Sequence, residues 1–223
     1  MVEVSLVKGE KIENMTIIGV DEVGRGCLAG PLVVGAVIIE PGIIEGVFDS
    51  KQVSAAKREE LAPQIKEQAA GYGIGWVWPN EIDEIGLTRA TKLGIKRAVR
   101  QIGMSYDLLI TDGNTNFWPE NKKIQAIVNA DEKIYEVSAA SIIAKVARDE
   151  YMKKLAKRYP NYGFEEHVGY STGTHRKALK EHGVITGLYR VKNVKPLAEM
   201  VRLQAEKAAA SLEQPGSPEQ LAA

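Results

Sequence analysis

Two strand-like runs follow one another near the start of the chain, and the later ones are interleaved with helical stretches. Thr16 to Val20 and Leu32 to Ile39 are short and apolar, the second bounded by Pro31 and Pro41, a pattern that predicts strands. Ser54 to Ala70 has helical periodicity, with Ser54 placed as an N-cap and Gly71 as a stop. Tyr72 to Trp78 reads as a third strand, Thr88 to Ile102 as a second helix closed by Gly103, and Leu108 to Thr111 and Ile124 to Val128 as two more strands. Val137 to Tyr159 is the longest helical stretch. Its first half, to Val146, is almost all small or apolar and is expected to be buried. Its second half is basic and ends at Pro160. Thr174 to His182 and Pro196 to Leu212 are further predicted helices. Two strands in succession, then strands alternating with helices, imply an α/β fold built on a mixed five-stranded sheet flanked by helices. Residues 1–14 read as a short leader, and Glu213 to Ala223, rich in Pro, Gly, Ser and Ala, as a disordered tail.

Charge narrows the functional classes only when read locally. Lys plus Arg equals Asp plus Glu at 29 each, a balance that alone argues against a nucleic-acid binder. From Lys145 to Lys195, however, 12 Lys or Arg stand against 5 Asp or Glu. That stretch is either a solvated helix face or a surface for phosphates. One cysteine, Cys27, gives no internal disulfide and no Cys-rich zinc site, which fits a cytoplasmic protein. No apolar run approaches the roughly 18 residues of a membrane helix, so no membrane partner is expected.

The acids carry the chemistry. Asp21 and Glu22 directly follow the first strand, Asp112 follows Leu108 to Thr111, and Asp131 follows Ile124 to Val128 after a short turn. Any one of these is satisfied as a turn residue or cap. The adjacent pair is less easily explained, because neighbouring carboxylates at a buried strand end repel unless a cation lies between them. Carboxylate oxygens without Cys or His suit a hard cation such as Mg²⁺ or Mn²⁺. Four acids have the capacity for two ions, an arrangement that stabilises the attacking and leaving oxygens of a phosphodiester cleavage. In Gly24-Arg25-Gly26 the glycines flanking an arginine allow the backbone close to a ligand; the plain alternative is a tight turn with a solvated arginine.

At this point the chain resembles a known family. Asp-Glu-Val-Gly-Arg-Gly-Cys-Leu-Ala-Gly-Pro (21–31) is similar to the opening signature of type 2 ribonuclease H, bacterial ribonuclease HII in particular. Asp49-Ser50-Lys51, Leu109 to Gly113, Asp131 to Lys133 with Val137 to Asp149, and Tyr162 to His175 resemble its later motifs in the same order. The resemblance runs from about residue 15 to about 197. It implies a ribonuclease H-like fold with a C-terminal helical extension, residues 15–197 forming the catalytic domain and 198–223 a terminal helix and tail. It implies hydrolysis of the RNA strand of RNA–DNA hybrids and cutting 5′ of ribonucleotides embedded in duplex DNA, leaving 5′-phosphate and 3′-hydroxyl ends. Carried over residue by residue, Asp21, Glu22, Asp112 and Asp131 would be catalytic metal ligands for Mg²⁺ or Mn²⁺. Gly24, Arg25 and Gly26 would touch the ribonucleotide through its 2′-hydroxyl, the group that distinguishes RNA from DNA. Tyr170 would stack on the neighbouring deoxyribose, and Lys51 would lie near the substrate backbone. The chain is expected to act as a monomer.

The chain departs from the family pattern at two places. Asn129-Ala130-Asp131-Glu132-Lys133 replaces a Gly-Asp-Ala-Lys pattern, which makes Asp149 a rival for the fourth acid; pairing of Asp149 with Arg148 or Lys153 is its plain reading. Gly173 stands where a lysine is common. The histidines His167, His175 and His182 are expected on helix surfaces or beside substrate rather than around zinc, Cys27 as a small buried residue, and Trp76, Trp78 and Trp118 as packing residues. Two other functions compete: a nuclease of the same fold acting on DNA junctions, and a catalytically inert hybrid-binding protein.

Overall fold

The computed structural model describes residues 15–41, 43–47, 53–192 and 194–212. The expectations for the leader 1–14, for Lys51 and for the tail 213–223 fall outside these residues. The strands are β1 (Ile17–Val23), β2 (Leu32–Ile38), β3 (Gly71–Val77), β4 (Leu108–Asp112) and β5 (Ile124–Ile127). The helices are α1 (Ala55–Gln68), α2 (Pro79–Ile85), α3 (Leu87–Ile102), α4 (Tyr135–Arg158), α5 (Phe164–His167), α6 (Gly173–His182) and α7 (Lys195–Leu212). The sheet order is β3-β2-β1-β4-β5. β1 pairs antiparallel with β2 and parallel with β4; β2–β3 is antiparallel and β4–β5 parallel. The mixed five-stranded sheet expected from the order of apolar runs is present.

The small-residue half of α4 lies against one face of the sheet, and α3 covers the other. The approach of α4 is close because the sheet carries glycine beneath it. A Cβ on Gly19 would come within 2.1 Å of the Glu136 backbone, and one on Gly35 within 2.2 Å of the Ala140 carbonyl. α1 closes the outer side of α4, so Ala139, Ala140, Ile142 and Ile143 are buried between two layers with Leu61 and Ile65. That sandwich explains an apolar run with no polar face.

The second half of α4 leaves the sheet and seeds another apolar cluster. Met152, Leu155 and Ala156 pack there with Phe164, Leu179 and Tyr189. This is the C-terminal helical extension, and it lies against the 27–31 segment through Ala29. Two helices were not foreseen. α2 begins at Pro79, where proline suits the first helical position, and its seven residues are too few to show periodicity. α5 has four residues, capped by Gly163 and Val168 in left-handed conformation. Among the described residues no helix is long and apolar enough to cross a membrane.

Candidate active site

Parallel pairing of β1 with β4 aligns Val20 with Thr111, so Asp21 and Asp112 occupy the next positions on adjacent strands. Alternation along β1 places Gly19 and Asp21 on one face. Gly19 lies under Glu136 and Val137, and Ser141 and Lys145 further along α4 act on the Asp21 carboxyl electrostatically. Asp21 is 8% exposed. Burial pushes its carboxyl up to about 7, nearby Glu22 and Asp112 reinforce the rise, and Ser141 and Lys145 oppose it. Its Oδ1 accepts the Glu22 backbone N–H at 2.7 Å. The Glu22 carboxyl is also raised, by burial first and by Asp112, against the pull of Arg25. Asp21, Glu22 and Asp112 therefore share one electrostatic site at one end of the sheet.

Asp112 is fixed from the neighbouring turn, where the Ala130 backbone N–H donates to its Oδ1 at 2.7 Å. Asp131 follows at once, 3% exposed, in a 3₁₀ turn spanning Ala130–Glu132. The rival, Asp149, pairs with Arg58 of α1 at 3.7 Å, and the two expected partners, Arg148 and Lys153, add their charges to that pairing. Among the described residues no group of three or more acidic, histidine or cysteine side chains is gathered closely enough to hold an ion. The donor set still fits a divalent cation. Mg²⁺ keeps several waters and uses few protein carboxylates, and the crowded acids need a positive charge to be ionised together.

The Gly24-Arg25-Gly26 turn leads away from Glu22. The Arg25 guanidinium donates to Glu22 Oε1 at 3.2 Å while half-exposed. Gly24 has φ +87°, and a Cβ there would meet Arg148 Nε at 2.3 Å. Nothing lies within 4 Å of a Cβ on Gly26, and its φ is not in the left-handed region. Intramolecular packing thus explains glycine at 24 but not at 26. Tyr170, 43% exposed, stands with its ring 6.0 Å from the Arg148 guanidinium. Arg148 is fully buried and donates to the Pro31 and Ala29 carbonyls at 3.0 and 3.1 Å. It therefore lies between the 24–31 segment and Tyr170.

Several residues at this site carry weak sequence signals. Lys145 is the one charge in the run 137–146, a usable clue to a buried acid nearby. Arg148 stands in the basic half of α4 with no local sign that it is buried. His167 and His175 are buried rather than at a helix surface, stacked at 4.1 Å between ring centres. Cys27 is buried as expected. Trp76 and Trp78 stack on each other at 5.8 Å, yet Trp78 stays 39% exposed and so is not wholly a packing residue.

The two histidines have assignable protons. His175 Nδ1 lies 2.8 Å from the Tyr170 carbonyl, which only accepts, so Nδ1 carries the hydrogen. Burial holds the His175 imidazolium down to about 4. An unfolded chain titrates near 6.5, so it binds more protons than the folded one between these values. This contribution to stability is present above about pH 6.5 and is lost as pH falls through 4. Wild type is expected to lose more melting temperature than His175→Gln between pH 7 and pH 4.5. Equal losses in a calorimetric comparison would show that His175 is not buried in its neutral form.

The Ribonuclease HII family model matches residues 18–198. The ribonuclease HII of Vibrio parahaemolyticus is 47% identical over 172 residues, covering 76% of this chain and 81% of that one. The crystal structure of ribonuclease H2 from Pyrococcus horikoshii superposes with a TM-score of 0.71 at 27% identity, over 85% of this chain and 98% of that one. A Bst ribonuclease HIII solved with Mn²⁺ shares the fold, with a TM-score of 0.65 at 18% identity over 89% of this chain and 71% of that one. A match across both the sheet and the helical extension, with close relatives along the same stretch, places the chain in the ribonuclease HII family of RNA–DNA hybrid endonucleases.

Proposed function

We propose that Asp21, Glu22, Asp112 and Asp131 hold divalent cations, Mg²⁺ or Mn²⁺, for cleavage of the RNA strand of hybrids and 5′ of single ribonucleotides in duplex DNA. The observation that carries this reading is the gathering of Asp21, Glu22 and Asp112 at one sheet end, where burial first and their mutual repulsion second raise the Asp21 and Glu22 carboxyls. Bound cations would activate water and offset charge on the phosphodiester oxygens, leaving 5′-phosphate and 3′-hydroxyl ends. The protein's own part is placement. One oxygen of Asp21 accepts a backbone N–H and one oxygen of Asp112 accepts another, which orients both carboxylates. Arg25, tied to Glu22 but half-exposed, is free to exchange that partner for a phosphate or the ribose edge.

In this reading Gly24, Arg25 and Gly26 contact the ribonucleotide, and the open space over Gly26 admits its sugar. Tyr170 offers its ring to the next deoxyribose. Lys51, from its place in the sequence, serves the substrate backbone. The working unit is residues 15–197, acting as a cytoplasmic monomer, with RNA–DNA hybrid and ribonucleotide-containing duplex as its partners.

The test uses a labelled DNA duplex with one ribonucleotide, a long RNA–DNA hybrid, and Mg²⁺, Mn²⁺ or EDTA. Metal-dependent cutting 5′ of the single ribonucleotide is expected. Arg25→Ala and Tyr170→Ala should each lose about tenfold to a hundredfold on that substrate, as removal of a positioning contact does. Cutting of the long hybrid alone, or both variants at the wild-type rate, would remove the roles given to Arg25 and Tyr170.

A further inference from the structure

The backbone around the Gly-Arg-Gly turn is assembled from three separate pieces of chain. Leu28 and Ala29 donate their N–H groups to the Gly169 carbonyl at 2.9 and 3.3 Å. On their other side, Gly30 N–H donates to the Leu188 carbonyl at 2.8 Å and Arg190 N–H to the Leu28 carbonyl at 3.1 Å. Ala29 and Tyr189 thereby form an antiparallel bridge. The 28–30 segment is held between the Tyr170 loop and the 188–190 segment. The Val191 N–H donates to Asp83 Oδ2 at 2.6 Å, fixing the far end of the latter to α2.

Consecutive side chains of an extended segment point to opposite sides, and here each side reaches one half of the candidate substrate surface. The Tyr189 hydroxyl lies 2.8 Å from His175 Nε2. With the His175 proton on Nδ1, Nε2 accepts from Tyr189 and Nδ1 donates to the Tyr170 carbonyl at 2.8 Å. His167 completes this side, its Nδ1 accepting from the Gly169 N–H at 3.1 Å. On the other side Arg190 Nη1 donates to the Arg25 carbonyl at 2.6 Å and Nη2 to the Gly24 carbonyl. Arg190 is 4% exposed.

The orientation of those two carbonyls fixes what the turn presents. No described peptide bond is cis, and in a trans peptide the N–H points opposite to the C=O. With the Gly24 and Arg25 carbonyls drawn to one guanidinium, the N–H groups of Arg25 and Gly26 face away from Arg190. Consecutive N–H groups aimed the same way make a pocket for an electronegative atom.

We propose that Tyr189 and Arg190 are positioning residues that set the two halves of the ribonucleotide-reading surface, Gly24–Gly26 and Tyr170, against each other. The inference rests on the reading of those two elements as the substrate contacts. It accounts for a buried arginine whose side chain donates to backbone carbonyls, an arrangement costly in desolvation. Burial indeed draws the Arg190 guanidinium down to about 10. The planar fork holds two acceptors at a set spacing, which a lysine ammonium does not reproduce.

Arg190→Lys keeps the charge and loses the fork, and Tyr189→Phe keeps the ring and loses the hydroxyl. Both are compared with wild type and Tyr170→Ala on the single-ribonucleotide duplex, with kcat and KM measured separately and folding followed by circular dichroism. Arg190→Lys is expected to lower kcat/KM about tenfold to a hundredfold, and Tyr189→Phe about tenfold, as a displaced contact does. The losses should not multiply in the double variant, since both act on one assembly. A purely structural role would lower the melting temperature and leave kcat/KM of the folded protein unchanged. Wild-type kcat/KM in folded Tyr189→Phe and Arg190→Lys, with Tyr170→Ala impaired, would overturn this inference alone. Wild-type rates in Tyr170→Ala would overturn the underlying reading instead. Should Arg190→Lys fail to fold, Tyr189→Phe decides.

Discussion

Asp112→Asn is expected to abolish metal-dependent cleavage, by about a thousandfold or more, while the protein folds as before. The size follows from the several kcal/mol that bound cations contribute to such a reaction, each 1.36 kcal/mol being tenfold. Folding is spared because asparagine retains Oδ1 to accept the Ala130 N–H. The variant also removes one of the negative charges that raise Asp21 and Glu22. Without cation, the variant should melt at or above the wild-type temperature near pH 8, where the crowded acids are ionised and repel. A carboxyl raised on folding is most favourable below its unfolded value near 4 and loses that advantage as pH rises through about 7. Added Mn²⁺ should then raise the melting temperature of wild type more than that of the variant. Melting curves with EDTA and with Mn²⁺, beside the cleavage assay, check all three statements. An active Asp112→Asn would dismiss the carboxylate cluster as the catalytic centre, and a lower melting temperature in EDTA would show that Asp112 serves the fold.

The parts of this site legible in the sequence are those in which one residue type at a strand end has few explanations. Asp21, Glu22 and Asp112 were legible as acids at the ends of apolar runs; the structure places the first two inside β1 and the third as the last residue of β4, and only the parallel pairing of these strands shows that they meet. β1, β2 and the first half of α4 were legible because burial on both faces leaves an unbroken apolar signature, whereas β3 showed itself by alternation. The reading was poorer where a residue's meaning depends on chain far away. Arg148 and Arg190 satisfy carbonyls more than 100 residues distant, and no local pattern distinguishes such an arginine from a solvated one. The same holds for His167 and His175, which sit on short helices yet face inward against Phe164. The helical extension is thus more than a basic surface: its buried polar groups hold the loops that flank the acids.

Alanine at Gly24 and at Gly26, two residues apart in one turn, should produce opposite symptoms. At Gly24 the backbone lies at φ +87°, and the new methyl would meet Arg148 Nε at 2.3 Å and the Pro31 carbonyl at 2.7 Å. Neither neighbour yields easily, because Arg148 is buried and bonded to that same Pro31 carbonyl. Strain plus overlap should cost about 3 kcal/mol or more, roughly 6–12 °C in melting temperature for a chain of this size. At Gly26 a methyl meets nothing within 4 Å, and the melting temperature should stay at the wild-type value. Under the proposed contacts that methyl occupies the space of the ribose, and a displacement of about 1 Å is enough to lower cleavage of a single-ribonucleotide duplex about a hundredfold. A stable, fully active Gly26→Ala would mean that the substrate approaches elsewhere. A Gly26→Ala that unfolds like Gly24→Ala would mean that the turn is glycine-rich for its own geometry, leaving no sign in its backbone of a sugar to be read. Only a stable but impaired Gly26→Ala beside an unstable Gly24→Ala separates a glycine kept for the fold from one kept for the ligand, because the two substitutions add the same atoms to the same turn.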